Sequence, residues 1–250
     1  MTTRPRTRAA SAPAEDAAAA PTGTDNAIYE RVVSAILDHR LPPGTKLVED
    51  RLASAFGVSR TLIRPVLVRL ANEQVVTLTP HRGATIAQPS EQEAREVFEV
   101  RRLIESSLVE RFVARAERDD IQLLTRCIRD EEAARSAGDM RRAIRLSGDF
   151  HLHIADRAGQ QTLGRILREM VSRTSLILMT YSSSHAQARR DATACGCDEH
   201  RALLAAIRLR DAREAARLMR EHLDRLEAQL DFSPPTGAAP DLERLFAPVA

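Results

Sequence analysis

Apolar residues recur along most of this chain at helical spacing. Ile28, Val32, Ile36 and Leu37 share one face of a first helix that begins at Thr24 or Asp25, either one a suitable N-cap. "LPPGTKL" ends that helix. A second short helix, "VEDRLASAF", runs up to Gly57, the residue type expected just past a helix C-terminus. A third, "RTLIRPVLVRL", puts Leu62, Ile63, Val66, Leu67 and Leu70 on one arc, with Arg60, Thr61, Arg64, Pro65, Val68 and Arg69 on the other. The period then changes: "VVTLT" and "ATIA" are β-prone and flank the turn "PHRG", which predicts a hairpin. Beyond Ser90 the pattern is helical only. Ser90 and Glu93 form a capping box, and helices are predicted over about 91–115, 119–136, 139–157, 160–184, 197–209 and 212–230. Asp139 and Asp211 are N-caps, and Gly138 and Gly159 interrupt the pattern.

The predicted fold is mostly α: a winged helix-turn-helix of three helices plus a β-hairpin wing, then an all-α six-helix bundle. Residues 1–24 read as a disordered tail, 25–89 as the first domain, 90–231 as the second and 232–250 as a flexible tail.

Composition narrows the class. Hydrophobic residues make up 43% of 250 but aromatics only 3%, so the core is built from Leu, Ile, Val and Ala, which suits helices. Cys127, Cys195 and Cys197 are too few for a disulfide framework and imply reduced thiols. No apolar run reaches the roughly 20 residues of a bilayer span, and the start is not a signal peptide. A soluble, cytoplasmic protein is expected. The net charge of +2 says little by itself; where the charge lies says more.

The outward arc of the third helix is basic and carries no acid. Ser59 stands at its N-cap position, where free backbone amides attract phosphate. Arginine meets guanine bidentately, while Ser and Thr reach a base or a phosphate. A solvated charged face is the plain alternative. The helix-turn-helix pattern and the hairpin favour DNA, with Arg82 and Gly83 at the wing tip and His81 placed to touch phosphate.

"IYERVVSAILDHRLPPGTKLVEDRLASAFGVSRTLIRPVLVRL" resembles the winged helix-turn-helix of GntR-family bacterial transcription regulators over residues 28–88. The resemblance implies DNA contacts by Arg51, Arg60 and Arg64, and a wing tip shaped by Gly83. Pro65 departs from the family pattern. Mid-helix it costs around 3 kcal/mol, and a kink or a late helix start would re-aim Arg60 and Thr61.

"VFEVRRLIE", "FHLHIADRAGQ", "DEHRALLAAI" and "DAREAARLMREHL" are similar to the all-helical FCD-type ligand-binding domain of the FadR-like subfamily. That resemblance implies a divalent metal (Zn, Ni or Fe) held by His151, His200 and His222, a donor set with positions left open for water or a carboxylate. The usual acidic ligand position holds Ser147, and Asp149 falls on the wrong face. His153 lies about 200° around the helix from His151 and off the site. Arg101 matches a cavity arginine that would fork onto an effector carboxylate; the alternative is a surface ion pair with Glu105. Tyr181 is a candidate polar tip in the cavity, and Gln160 is either a helix cap or a ligand contact. Cys195 and Cys197, in a loop before His200, are incidental or a redox or soft-metal pair. His39 and His185 read as loop or surface residues.

These expectations describe a ligand-responsive transcription regulator: a homodimer on a palindromic operator in double-stranded DNA, repressing a catabolic operon until a small carboxylate effector binds. The rival is a metal-dependent hydrolase using the three histidines. Against it, no general base stands beside them, and Glu199 is expected to face elsewhere. An architectural DNA binder, lacking any cavity, is a third class.

Overall fold

The computed structural model describes residues 23–80, 82–182 and 186–232, with backbone alone for 186–195. The expected tails, apart from a few residues, lie outside the described residues, as do His81 and His185. Nine helices and three short strands are described: α1 (Gly23–Leu37), β1 (Lys46–Leu47), α2 (Glu49–Phe56), α3 (Arg60–Asn72), β2 (Val76–Thr79), β3 (Gly83–Ile86), α4 (Glu91–Arg115), α5 (Arg118–Ser136), α6 (Met140–Arg157), α7 (Gln161–Tyr181), α8 (Ala186–Arg208) and α9 (Ala212–Ala228). Among the described residues no helix is long and apolar enough to cross a membrane.

The expected hairpin is part of a three-stranded antiparallel sheet ordered β1-β3-β2, in which Lys46 pairs with Thr85 and Val76 with Ile86. Sequence pattern missed β1 because two residues carry no periodicity. Leu47 faces in and Lys46 out. Gly57 closes α2 in the left-handed conformation at φ 66°, which lets the chain turn directly into α3. Ile63, Val66, Leu67 and Leu70 of α3 are buried against α1, α2 and β2. Pro65 neither delays nor divides α3, so of the kink or late start expected, the late start does not occur. Thr61 and Pro65 are both exposed, so water reaches the side of the helix where the bond is lost.

The capping box closes with Glu93 N on Ser90 Oγ at 3.2 Å and Ser90 N on Glu93 Oε2 at 2.7 Å. Asp139 and Asp211 cap α6 and α9 through Arg142 N and Glu214 N. Helix α8 starts eleven residues before the expected 197. "AQARRDATA" is rich in helix formers, and Cys195 and Cys197 sit inside the helix rather than in a loop. Cys127 and Cys197 are buried free thiols, pushed up by burial to about 12 and about 11, so neither is a nucleophile near neutrality.

Two hydrophobic clusters form, one in the N-terminal elements and one among α4–α9, and they meet at a joint. Leu176 of α7 is buried in the N-terminal cluster, while Leu37 of α1 packs on the bundle's cluster. Arg145 of α6 crosses the same joint, its Nη1 donating to Asp38 Oδ1 and Ser34 Oγ at 3.0 Å each.

His39, in the turn after α1 and so in the loop expected, also belongs to this joint. It is partly buried at φ 55°, its Nε2 is buried without a partner, and burial followed by Arg141 pushes its pKa down to about 4. The unfolded chain therefore takes up this proton before the folded protein does, and stability falls as pH drops from about 6.5 to about 4. A His39→Asn variant, which tolerates the positive φ, is expected to flatten that window by on the order of 2 kcal/mol in acid-range urea titrations. An unchanged pH profile would remove His39 as its cause.

Candidate metal centre and DNA-facing surface

Each of the three histidines occupies a core position in an apolar helical stripe. On α6, His151 lies between Phe150 and Ile154; on α8, His200 between Cys197 and Leu203; on α9, His222 between Met219 and Leu223. Helical spacing therefore drives all three inward. They are buried, with one ligand atom of each within 4.8 Å of the others. Phe150 stacks on His200 with ring centroids 4.3 Å apart.

Every imidazole is oriented in the same way. His151 Nδ1 meets Glu105 Oε2 at 2.5 Å, His200 Nδ1 meets Glu131 Oε2 at 2.9 Å, and His222 Nδ1 meets Glu199 Oε2 at 2.7 Å. The other oxygen of each carboxylate takes an arginine: Arg101 on Glu105 at 2.6 Å, Arg135 on Glu131 at 2.7 Å and Arg225 on Glu199 at 2.8 Å. Three Arg–Glu–His relays thus surround one point.

The electrostatics follow from burial and partners. Burial alone would raise the Glu105 and Glu131 carboxyls, but His151 with Arg101, and His200 with Arg135, hold them down at about 2. Burial lowers His151 and, aided by the neighbouring imidazoles, brings His222 down to about 3. A neutral imidazole giving its Nδ1–H to an ionised Glu keeps Nε2 as a lone-pair donor. The Nε2 atoms of His200 and His222 are buried with no partner, which leaves two donors unsatisfied and fits a metal ion. Zn, Ni or Fe suits three imidazoles and would supply open positions to an anionic ligand.

Ser147 and Asp149 both line the adjoining cavity, but neither joins the histidine cluster. Asp149 Oδ2 is 3.9 Å from Arg145 Nε. The cavity encloses about 70 Å³, within about 600 Å³ of space that runs out into solvent at its open mouth. Arg101, His151 and Thr174 line its buried end; Leu37 and Arg145 line its exposed end. Arg101 is at once a cavity residue and the partner of Glu105, and that ion pair is buried, not on the surface. Tyr181 is not among the lining residues. Its hydroxyl donates to the Pro89 carbonyl at 2.6 Å and its ring lies against Phe232. Gln160 holds the N-cap position of α7 without a side-chain cap bond. His153 is outside the cluster.

On the N-terminal elements, Arg51, Ser59, Arg60, Thr61, Arg64, Arg82 and Gly83 are all exposed. Ser59 has extended backbone at the N-cap of α3 but makes no side-chain cap bond, which leaves its hydroxyl for another partner. The arc is acid-free on α3 itself, yet α2 supplies acids: Arg64 Nε donates to Glu49 Oε2 at 2.9 Å, and Arg60 pairs with Asp50. Arg69 has a structural task, lying 3.4 Å over the Tyr29 ring and bonded to Asn26. Gly83 opens β3 at φ 85°.

A family model described as bacterial regulatory proteins, gntR family, matches residues 24–86, and the FCD domain model matches residues 96–225, just over half of the chain. The chain belongs to the GntR family. Its FCD domain carries the histidines and the cavity. YdhC of Bacillus subtilis (strain 168), an uncharacterized HTH-type transcriptional regulator, is 24% identical over 143 residues, 57% of this chain. The chain spans 64% of YdhC, a little under two thirds. The HTH-type transcriptional repressor GlaR of Escherichia coli (strain K12) is 26% identical over 202 residues, covering 78% of this chain and 90% of GlaR. The solved structure of E. coli McbR/YncC superposes with a TM-score of 0.73 at 21% identity, over 82% of this chain and 95% of that one, and shares the fold. These relatives are transcription regulators, not enzymes.

The site also contains what sequence reasoning missed. Glu105, Glu131 and Glu199 were not expected beside the histidines, and Glu199 turns toward His222 rather than away. A signal existed in the i,i+4 pairs Arg101/Glu105 and Glu131/Arg135, but such spacing ordinarily marks a solvated helix face. The carboxylates orient Nδ1 and are themselves held by arginines, which counts against the hydrolase alternative.

Proposed function

We propose that this GntR-family member is a ligand-responsive transcription regulator, a repressor released by a small carboxylate effector. Residues 25–89 form the DNA-binding domain and 90–231 the effector-binding and dimerisation domain. The observation that carries the proposal is the pairing of an exposed basic helix, α3, with a buried three-histidine cluster, in which the Nε2 atoms of His200 and His222 have no partner, beside a cavity lined by His151 and Arg101. The effector carboxylate takes an open position on a metal held by His151, His200 and His222 and forks onto Arg101. The kinship with GlaR, a repressor by name, supports the direction of control.

Arg51, Ser59, Arg60, Thr61 and Arg64 face the major groove, and His81, Arg82 and Gly83 reach the flanking groove and phosphates. One α3 covers a half-site, so a homodimer reading a palindrome is the matching assembly. Leu103 of α4, 69% exposed, offers an apolar contact on the bundle for the second copy. Effector binding acts by favouring one placement of the two DNA-binding domains.

The test is selection of operator sequences from random DNA, followed by titration. Arg60→Ala and Arg64→Ala are each expected to cost about 1–3 kcal/mol of specific affinity, with binding falling steeply as salt rises. Both arginines must first leave Asp50 and Glu49, exposed pairs of the kind worth about 0–1 kcal/mol. Full affinity in both variants would overturn the assignment of α3.

A further inference from the structure

The cavity lining is unbalanced in charge. Arg101, Arg135 and Arg145 line it against a single acid, Asp149; Glu105 and Glu131, which neutralise the first two arginines, are not lining residues. The Ser175 hydroxyl also lines it, buried and without a partner. The cationic lining extends from the histidines to the joint with α1. Arg145 and His151 lie six residues apart on α6, roughly 9 Å along the helix axis. At the outer end Arg145 Nη1 bonds Ser34, on α1, and Asp38, the residue just past its end, while Nε lies 3.9 Å from Asp149. Asp38 is shared in turn: its other oxygen accepts from Arg40 at 3.2 Å, so losing Arg145 does not strand its charge.

We propose that Arg145 is a second anion-binding residue of this cavity. The ligand class is then a diacid, with one acidic group at the histidine and Arg101 end and another at the mouth. Seating the outer group draws Arg145 off Asp38 and Ser34 and loosens α1 from α6. The proposal rests on the inner carboxylate seat described under Proposed function. It adds the second charge and names the contact through which a ligand reaches the DNA-binding elements. Arg145 Nε keeps its contact with Asp149, while Nη1 changes partner from an intramolecular carboxylate to the ligand's. Leu37 lines the same mouth, so a ligand filling it also touches α1 directly.

The experiment titrates the full-length, zinc-supplemented protein with the diacids succinate, glutarate, adipate and pimelate, and with monoacids of the same carbon number. Calorimetry reads affinity, and hydrogen exchange of the α1 C-terminus reads the joint. At least one diacid is expected to bind about tenfold tighter than its monoacid, the worth of one charge-assisted bond. Arg145→Gln should erase that difference and leave monoacid affinity unchanged. Asp38→Asn should tighten the diacid about threefold, because Arg145 no longer leaves an ionised partner. Exchange at Leu37 and Asp38 should quicken with the diacid and not with the monoacid. The proposal is overturned if no diacid outbinds its monoacid, or if Arg145→Gln weakens both alike. Arg101→Gln separates the underlying reading. If monoacid binding survives that change, the inner seat is misassigned, and the diacid difference still decides Arg145.

Discussion

Replacing Arg101 with Met is expected to destabilise the protein by about 3–5 kcal/mol and to lower Tm by about 10 °C. The cause is the Glu105 carboxylate. It is 1% exposed, and Arg101 Nε at 2.6 Å is one of two groups that hold its charge. The other, His151, is a neutral donor, because burial has pushed its pKa down. Without the guanidinium, Glu105 must either stay ionised in a dry site or take a proton from water, and each costs free energy. Urea denaturation gives the number. The double variant Arg101→Met, Glu105→Leu is expected to regain most of the loss, since a buried ion pair replaced by well-packed apolar groups is close to neutral. A loss under about 1 kcal/mol in the single variant would mean that Glu105 does not depend on Arg101 for its charge.

Zinc should act with comparable size and opposite sign. Metal bound only by the folded protein stabilises it by about 4 kcal/mol at a thousandfold excess over Kd. Elemental analysis of protein purified without chelator is expected to find close to one ion per chain, with Ni or Fe able to take the same seat. His200→Ala removes a ligand and the partner of Glu131, a carboxylate with no solvent exposure, so both the ion and its stabilisation are expected to be lost. Glu131→Gln keeps all three imidazoles and is expected to weaken metal affinity about 10–100-fold, the usual worth of such an orienting carboxylate. If added zinc, nickel and iron leave Tm unmoved and the elemental analysis is blank, the metal assignment fails. The cavity would then bind its ligand through Arg101 and hydrogen bonds alone.

Much of this was legible beforehand, for identifiable reasons. The apolar period of α3 and of α4–α9 is dense, and Ser90/Glu93, Asp139 and Asp211 are local signals that capping geometry obeys. The histidines were found by motif likeness. Their burial could also have been read from the stripes they interrupt, such as Ala215, Met219, His222 and Leu223 on α9. What stayed hidden was non-local. Nothing in the chain near Tyr181 announces Pro89, 92 positions away. Nothing near Arg145 announces Asp38. Glu131 reads as a surface acid until α8 is laid across α5 and His200 reaches it. Arg60 and Arg64 looked unopposed because their acids come from a different helix, α2.

The joint at Leu37 and Leu176 bears on how such proteins are recombined. Each half lends the other a side chain that its own core would otherwise lack. A fragment cut after the wing would leave the seat of Leu176 as an open apolar hollow. A foreign bundle joined there would have to offer a leucine of the same reach and an arginine at the height of Asp38. Chimeras that exchange ligand specificity among these regulators are therefore expected to keep their response only when the C-terminal turns of α1 travel with the bundle they were matched to.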